Sequence, residues 1–136
     1  VQPEPLGTGH AVRQLAGPLK DYQGNLLILY GDTPLFRPAS IRGLLNRHAL
    51  KQAHLTLLSA NMDKPFPYGR IVRDAEGRIV DVIEETEASA AVRQIQEFNV
   101  GAYIVSAPLI FSALAKLPRS KDGKYPLNDC VHHLIK

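Results

Sequence analysis

Two different spacings of apolar residues follow one another along the first half of the chain and predict alternating strands and helices. The segments Leu26–Tyr30 and Leu55–Leu58 are short and mostly apolar, which is typical of strands buried in a sheet. Between them, a segment opening at Pro38–Ser40 places apolar residues on one helical face, with Ser40 as a candidate cap. That face consists of Ile41, Leu44, Leu45 and Ala49. A strand, a helix and a strand with so short a crossover predict a parallel pair with a right-handed connection and helices packed on the sheet.

The second half of the chain predicts a hairpin, further helices and one more strand. Gly69–Arg73 and Arg78–Ile83 flank Asp74–Gly77, a connection closed by glycine, which is typical of a β-hairpin. Apolar periodicity and helix-start residues predict the remaining elements. These are a short helix from Thr8 or Gly9, a helix over Ala88–Gln96, a strand over Phe98–Val105, a helix from Ser106 and a tail helix from Asn128.

Composition and charge describe an ordinary folded domain and argue against several classes of partner. The 136 residues suffice for one domain, with 45% hydrophobic and 21% charged residues. The net charge is +3, but the 16 Lys and Arg are scattered, so a nucleic-acid partner is not indicated. No apolar stretch could cross a bilayer and the first residues lack a secretory signal, so we expect no membrane partner and a cytoplasmic location. The one cysteine, Cys130, is expected in the core, and the five histidines form no zinc ligand set.

An acidic residue follows the first strand, between a glycine and a proline. Gly31 and Pro34 bracket Asp32, which would bring its carboxylate to the rim of the sheet, where ligands of α/β proteins bind. Mg²⁺ prefers one or two protein carboxylates together with substrate phosphate oxygens, so Asp32 is a candidate metal ligand. The alternative is structural, because Asp and Gly are also ordinary turn residues.

Other polar and glycine positions lie where predicted elements begin or end. Gly7–Gly9 could present backbone N–H groups to a nucleobase or a phosphate, although such glycines also occur wherever a loop enters a helix. Glu84 could accept hydrogen bonds from sugar hydroxyls, and Asn99 could donate or accept them. Taken singly, Gly69, Glu84 and Asn99 are more often structural, at a hairpin end or a bulge.

Five segments, taken in order, resemble one enzyme family. They are Gln2–Ala11, Leu29–Leu35, Tyr68–Asp74, Val82–Glu84 and Glu97–Gly101. Their order and spacing are similar, nearly end to end, to the bacterial N-acetylglucosamine-1-phosphate uridyltransferases, also called UDP-N-acetylglucosamine pyrophosphorylases. The resemblance implies an α/β fold of Rossmann-like type, with a mixed, mostly parallel sheet flanked by helices.

The resemblance also implies a reaction and the residues that serve it. In that family the phosphate of N-acetylglucosamine 1-phosphate attacks the α-phosphorus of UTP and releases pyrophosphate, forming a peptidoglycan precursor without a covalent enzyme intermediate. The implied partners are therefore UTP and a sugar 1-phosphate, and the implied cofactor is Mg²⁺. The implied nucleotide-binding residues are Gln2, Gly7, Thr8, Tyr30 and Gly31. The implied sugar-binding residues are Gly69, Glu84 and Asn99, and Asp32 is implied as the catalytic metal ligand.

The same resemblance predicts that residues 1–136 are an internal part of a sugar-nucleotidyltransferase domain. The family's glycine-rich phosphate loop and first strand would precede Val1, and a second magnesium ligand would follow Lys136. We therefore expect the fragment to be inactive alone and its unpaired strand edges to favour a homo-oligomer. The departures from the family are Thr86 for lysine, Val100 for threonine and Asn128 for threonine.

Two other functions stay open on the sequence. The absent phosphate loop, with Thr86 and Val100, is compatible with a non-catalytic sugar-nucleotide-binding or regulatory module. The positive net charge is compatible with a nucleic-acid binder, which we rank last of the three functions. Such a protein would bind DNA or RNA with an affinity that falls steeply with salt.

Overall fold

The long apolar segment in the second half of the chain forms the centre of the sheet. A computed structural model describes residues 1–64 and 66–135. Its longest strand is Glu97–Ser106, in which residues 101–105 are all buried, as expected for small and β-branched residues enclosed on both faces. The strands are β1 Asn25–Leu29, β2 Leu55–Asn61, β3 Arg70–Arg73, β4 Ile79–Ile83 and β5 Glu97–Ser106. The helices are α1 Thr8–Arg13, α2 Pro38–Lys51, α3 Ala107–Lys116 and α4 Val131–Ile135, with 3-10 turns at Val92–Gln94 and Leu127–Cys130.

Both edges of β5 are occupied by other strands. Val105 lies opposite Leu26 of β1 and also opposite Leu55 of β2, so these two strands flank β5. At its other end, Phe98 lies opposite residues of both β2 and β3. Strands β1 and β3 therefore share one edge of β5, β2 takes the other edge, and β4 follows outside β3. Each of these pairs is antiparallel.

The predicted parallel pairing of β1 with β2 is wrong, and so is the mostly parallel sheet. The two strands run in the same direction, because both are antiparallel to β5, but β5 lies between them. Strand β1 is also less buried than predicted, since Leu27 and Leu29 are each 44% exposed. Local apolar runs identify strands, but they do not show which later strand will lie between them.

Helices pack on both faces of the sheet, which confirms the α/β class with flanking helices. On one face, Ala102 and Ile104 of β5 pack with Leu44 of α2. Tyr103 and Val105 alternate with them and point to the opposite face, as the two-residue period of a strand requires. The core on that face also contains Val12, Ile110, Ala113, Leu114, Leu117, Leu127 and Cys130.

Most of the predicted elements form, but one predicted cap and one predicted helix do not. Ser40 does not cap α2, because the N-cap residue is Arg37 and no side chain caps that end. The helix predicted over Ala88–Gln96 is reduced to the 3-10 turn Val92–Gln94. Only the first residue of that segment is fully buried, and short helices are not stable in water without extensive packing of an apolar face.

In the described part of the chain, no helix has both the length and the apolar character needed to cross a membrane.

Candidate functional site

Backbone hydrogen bonds hold the turn after β1 against β5. The Tyr30 N–H donates to the Gly101 carbonyl at 3.0 Å. The Thr33 N–H and hydroxyl both donate to the Tyr30 carbonyl, at 3.3 and 3.2 Å. Asp32 lies exposed on this turn, just beyond the end of β1. An antiparallel neighbour, not the predicted parallel one, therefore fixes the position of the carboxylate.

Gly101 makes room for the ring of Tyr30. Its φ is +74°, and a Cβ at this position would lie 2.4 Å from a carbon of the Tyr30 ring. The Tyr30 ring also lies beside that of Tyr103, with 5.8 Å between the centroids. Glycine at position 101 is thus required both by the backbone and by the close approach of an aromatic side chain.

Gly7 and Gly9 allow the loop before α1 to lie directly on the backbone of Tyr125. The Gly9 N–H donates to the Tyr125 carbonyl at 2.8 Å, and the Tyr125 N–H donates to the Leu6 carbonyl at 2.8 Å. A Cβ on Gly7 or Gly9 would lie 2.8 or 2.7 Å from the Tyr125 carbonyl oxygen. These glycines therefore have a structural reason to be present, whether or not the loop binds a nucleotide.

The predicted metal ligand Asp32 and the predicted sugar-binding residues Gly69, Glu84 and Asn99 line one cavity of about 220 Å³. We call it the central cavity. Its walls come from the turn after β1, the segment before β3, the end of β4, the first half of β5 and the 3-10 turn Leu127–Cys130. The other lining residues are Tyr30, Thr33, Pro67, Tyr68, Val100, Gly101 and Asn128.

Two further depressions adjoin the central cavity through shared residues. Glu84 also lines a depression of about 260 Å³ together with Gly7 and Thr8. Thr8 in turn lines a groove of about 480 Å³ between α1 and β1, which ends at Gly31 and Asp32. The residues predicted to bind nucleotide and sugar thus meet on one side of the molecule.

Gln2 is the predicted site residue that lies apart from these cavities. Its side-chain amide donates to the Gly7 carbonyl at 3.1 Å and lies 2.9 Å from the Nδ1 atom of His10. In this position Gln2 supports the loop that carries Gly7 and Thr8. Its predicted contact with a nucleobase stays a prediction.

A chain of side-chain hydrogen bonds connects the parts of the site. The Tyr30 hydroxyl lies 3.4 Å from the Thr8 Oγ1 atom and 3.4 Å from the Tyr103 hydroxyl. The Asn99 amide donates to the Tyr103 hydroxyl and to the Oδ1 atom of Asn128. This series of hydrogen bonds therefore runs from the first residue of α1 to Asn128 in the lining of the central cavity.

Sequence reasoning did not assign a role to Tyr103 or Asn128. Tyr103 carried a signal, because Asn99, Gly101 and Tyr103 alternate along β5 and so point to one face. Asn128 carried only its difference from the family's threonine. Its place beside Asn99 depends on contacts between segments that are distant in the sequence.

Burial controls the protonation of the site residues. Burial raises the pKa of the Glu84 carboxyl, while its hydrogen bond from Asn128 acts in the opposite direction. Burial also raises the pKa of the Tyr30 hydroxyl, against the hydrogen bonds with Thr8 and Tyr103. The pKa of Tyr103 is raised as well, chiefly by burial. Both tyrosines therefore stay neutral hydrogen-bonding groups at ordinary pH.

Asp32 fits the needs of a magnesium ligand as far as one residue can. Its carboxylate is exposed at the rim of the central cavity and forms no hydrogen bond or ion pair with a side chain or backbone group that the structure describes. Within those residues, no group of three or more His, Cys, Asp or Glu side chains is placed to hold a metal ion. A single free carboxylate matches a Mg²⁺ site completed by water and substrate phosphates.

Positive charge is scarce around these cavities. Among the described residues, the lining of the central cavity includes no Lys or Arg. Lys124 lines the depression next to it, but its ammonium lies 3.6 Å from the carboxylate of Asp122. The described residues of the central cavity thus offer a ligand hydroxyl, amide and carboxylate groups.

Cys130 lies in the core, as predicted. It is 1% exposed, and burial raises the pKa of its thiol to about 12. The thiol is thus a protonated core group at ordinary pH.

Comparison of the whole sequence with known families decides its classification. A family model described as Nucleotidyl transferase matches residues 1–136. The chain belongs to the nucleotidyl transferase family. This result confirms the resemblance to a nucleotidyltransferase that the five sequence segments carry.

Curated relatives of this nucleotidyl transferase share one name. The bifunctional protein GlmU of Geobacter metallireducens is 40% identical over 132 residues, and that of Geotalea daltonii is 43% identical over 131 residues. The bifunctional protein GlmU of Staphylococcus saprophyticus is 42% identical over 136 residues. The matches cover 96%, 96% and 99% of this chain but 28%, 29% and 30% of the relatives. The chain thus spans less than a third of the length of these relatives.

Solved structures of nucleotide-sugar enzymes share the fold. A UDP-glucose pyrophosphorylase in complex with UDP-glucose superposes with a TM-score of 0.74 over 98% of this chain and 52% of its own. An apo UDP-glucose pyrophosphorylase gives a TM-score of 0.78 over 99% of this chain and 50% of its own. The identities are 14% and 15%, so this similarity shows the fold alone.

Proposed function

We propose that the protein containing this chain transfers a uridylyl group from UTP to N-acetylglucosamine 1-phosphate. A phosphate oxygen of the sugar phosphate attacks the α-phosphorus of UTP and forms a new P–O bond. The bond from the α-phosphorus to the bridging oxygen breaks, and pyrophosphate leaves with the electron pair. The products are UDP-N-acetylglucosamine and pyrophosphate.

The observation that carries this proposal is the meeting of Asp32, Gly69, Glu84 and Asn99 in the central cavity. Glu84 would accept a hydrogen bond from a sugar hydroxyl, and Gly69 would let the sugar approach the backbone closely. Tyr30, Gly31 and the loop at Gly7 and Thr8 would hold the nucleotide in the adjoining depressions.

Such a reaction depends on positioning and charge neutralisation more than on an acid or a base. The central cavity suits this requirement, because its lining includes glycines and its polar side chains are amides, hydroxyls and two carboxylates. Asp32 would hold a Mg²⁺ ion, which when bound would neutralise phosphate charge.

The test compares two exposed aspartates in the complete gene product that contains residues 1–136. We expect Asp32→Asn to lower kcat/KM for UTP and N-acetylglucosamine 1-phosphate by about 100-fold or more, measured as pyrophosphate release with Mg²⁺. Asp21→Asn is the matched control, because Asp21 is highly exposed and pairs only loosely with Lys20 at 4.0 Å. An unchanged rate in the Asp32 variant would remove this residue from the mechanism.

A second candidate function is a module that binds sugar nucleotides without turnover. Among the described residues, the scarcity of Lys and Arg in the lining of these cavities favours it, since a triphosphate needs positive charge. Calorimetry with UDP-N-acetylglucosamine and an assay of pyrophosphate exchange separate the two functions. Binding without exchange in the complete gene product supports the module and contradicts the enzyme.

A further inference from the structure

Asn128 connects two of the predicted sugar-binding residues through one carboxamide. Asn128 is 2% exposed and lies in the 3-10 turn Leu127–Cys130. Its Oδ1 atom accepts hydrogen bonds from Asn99 Nδ2 at 2.8 Å and from the Tyr103 hydroxyl at 2.7 Å. Its Nδ2 atom donates to Glu84 Oε1 at 2.6 Å.

These three contacts permit only one orientation of the Asn128 amide. The amide of Asn99 and the hydroxyl of Tyr103 both point donors at Oδ1, while the carboxylate of Glu84 can only accept when ionised. In a flipped amide, Nδ2 would face the donors of Asn99 and Tyr103, and Oδ1 would face the carboxylate oxygen of Glu84. Gly69 leaves room for the Asn128 amide, because a Cβ at position 69 would lie 3.1 Å from Asn128 Nδ2.

The contacts also decide which atoms stay available to a ligand. Asn99 uses both Nδ2 hydrogens inside the protein, one on Tyr103 and one on Asn128, and its Oδ1 accepts from the Gly101 N–H at 3.3 Å. Asn99 therefore keeps acceptor capacity only. Glu84 Oε1 is taken by Asn128, whereas Oε2 forms no hydrogen bond with the described residues.

We propose that Asn128 is a positioning residue that holds Glu84 and Asn99 in register, so that Glu84 Oε2 is the acceptor for a hexose hydroxyl. This inference rests on the function proposed above, because it concerns the sugar end of the same site. Asparagine suits the position because it serves these partners from two separate atoms, Nδ2 as the donor to Glu84 and Oδ1 as the acceptor from Asn99 and Tyr103.

The first measurement is a titration of the Glu84 carboxyl by ¹³C NMR in the wild type and in Asn128→Leu. The amide hydrogen bond opposes the upward effect of burial and of the nearby Asp129 and Glu87 carboxylates on the Glu84 pKa. Its loss should therefore raise this pKa further. Cys130→Ala is the matched control, because Cys130 is buried in the same turn and should leave the Glu84 titration unchanged. An unchanged Glu84 titration in Asn128→Leu would overturn the proposal.

The second measurement compares the affinities for UDP and for UDP-N-acetylglucosamine by calorimetry. We expect Asn128→Leu to weaken binding of UDP-N-acetylglucosamine by about tenfold or more, the size of one charge-assisted hydrogen bond, and to leave binding of UDP unchanged. Equal loss for both ligands would mean that Asn128 only supports the fold, which contradicts a positioning role. If the wild type binds neither ligand, the proposed function fails, and the Glu84 titration still decides whether Asn128 holds Glu84.

A second pair of variants covers the case in which Asn128→Leu does not fold. In Glu84→Gln, the side-chain amide resonances of Asn128 should shift, because they lose a carboxylate partner. Glu76→Gln, in the exposed hairpin turn, should leave them in place. Asn128 resonances that do not respond to Glu84→Gln would overturn the contact directly.

Discussion

Single glycines in this protein differ in what surrounds them, although their backbone conformations are similar. Gly101 and Gly77 have φ values of +74° and +77°. An added Cβ at Gly77 meets nothing within 4 Å, whereas at Gly101 it would lie 2.4 Å from the Tyr30 ring. The two positions therefore separate backbone strain from loss of space.

We expect Gly77→Ala to cost about 1 kcal/mol of the free energy of unfolding, because alanine is strained in the left-handed region. Gly101→Ala should cost about 2 kcal/mol or more, because Tyr30 must also move away from Thr8 and Tyr103. Urea denaturation of both variants measures the difference. Equal losses of unfolding free energy in the two variants would show that the Tyr30 ring moves aside without a free-energy cost.

The residue scale also shows how much of the site the sequence could predict. Asp32, Gly69 and Glu84 were singled out from their places at strand ends, and the structure brings them to one cavity. Tyr103 and Asn128 were not assigned roles, because their importance comes from hydrogen bonds to residues far away in the chain. A motif marks residues by type and spacing, but it does not show which distant side chain will meet them.

At the scale of elements, a buried arginine holds β3 in place. The Arg70 side chain is 1% exposed and its guanidinium lies 4.4 Å from the centre of the Phe98 ring. It forms an ion pair with Glu85 at 2.5 Å and donates to the Tyr68 carbonyl. Arg70 thus joins β3, β5 and the segment after β4, next to the central cavity.

We expect Arg70→Met to lower the free energy of unfolding by about 2 kcal/mol, because it removes the buried guanidinium from the Tyr68 carbonyl and from Glu85, which keeps its more exposed ion pair with Arg93. Arg78→Met is the control, since Arg78 is 74% exposed in its ion pair with Asp74 and should cost less than about 1 kcal/mol. Urea denaturation measures the free energy of unfolding of both variants, analysed with the same dependence on urea concentration. Similar losses in the two variants would contradict a structural role for the buried pair.

Element positions were predicted better than element partners. The hairpin of β3 and β4 was read from the connection Asp74–Gly77, and its antiparallel register is observed. The helix predicted over Ala88–Gln96 was wrong, because local propensity did not reveal how little of the segment is buried in the fold. Packing decided between helix and loop there, and packing is not a local property.

At the scale of the whole molecule, β1 is paired along one edge only. In the described part of the chain it pairs with β5 and with no other strand, and Leu27 and Leu29 are each 44% exposed. An unpaired edge beside exposed leucines is a common route to association between chains. The predicted homo-oligomer is still a prediction, and this edge is where it is expected to form.

Sedimentation velocity over a range of concentrations tests this expectation. We expect the chain to self-associate as its concentration rises, and Leu27→Lys to shift the distribution toward the monomer, because a charge on the exposed face opposes pairing. Leu50→Lys is the control, since Leu50 is 78% exposed but lies on α2. A strictly monomeric wild type at high concentration would contradict the prediction.

The sequence by itself determined the order of most strands and helices, the hairpin, and the family to which the chain belongs. These features depend on interactions within short segments and on motifs whose spacing is written in the chain. The tertiary structure decided that β5 lies between β1 and β2, and that Asn128 joins Glu84 to Asn99. Strand order and buried hydrogen bonds connect segments that are distant in the chain, so no local pattern specifies them and only the packed fold brings them together.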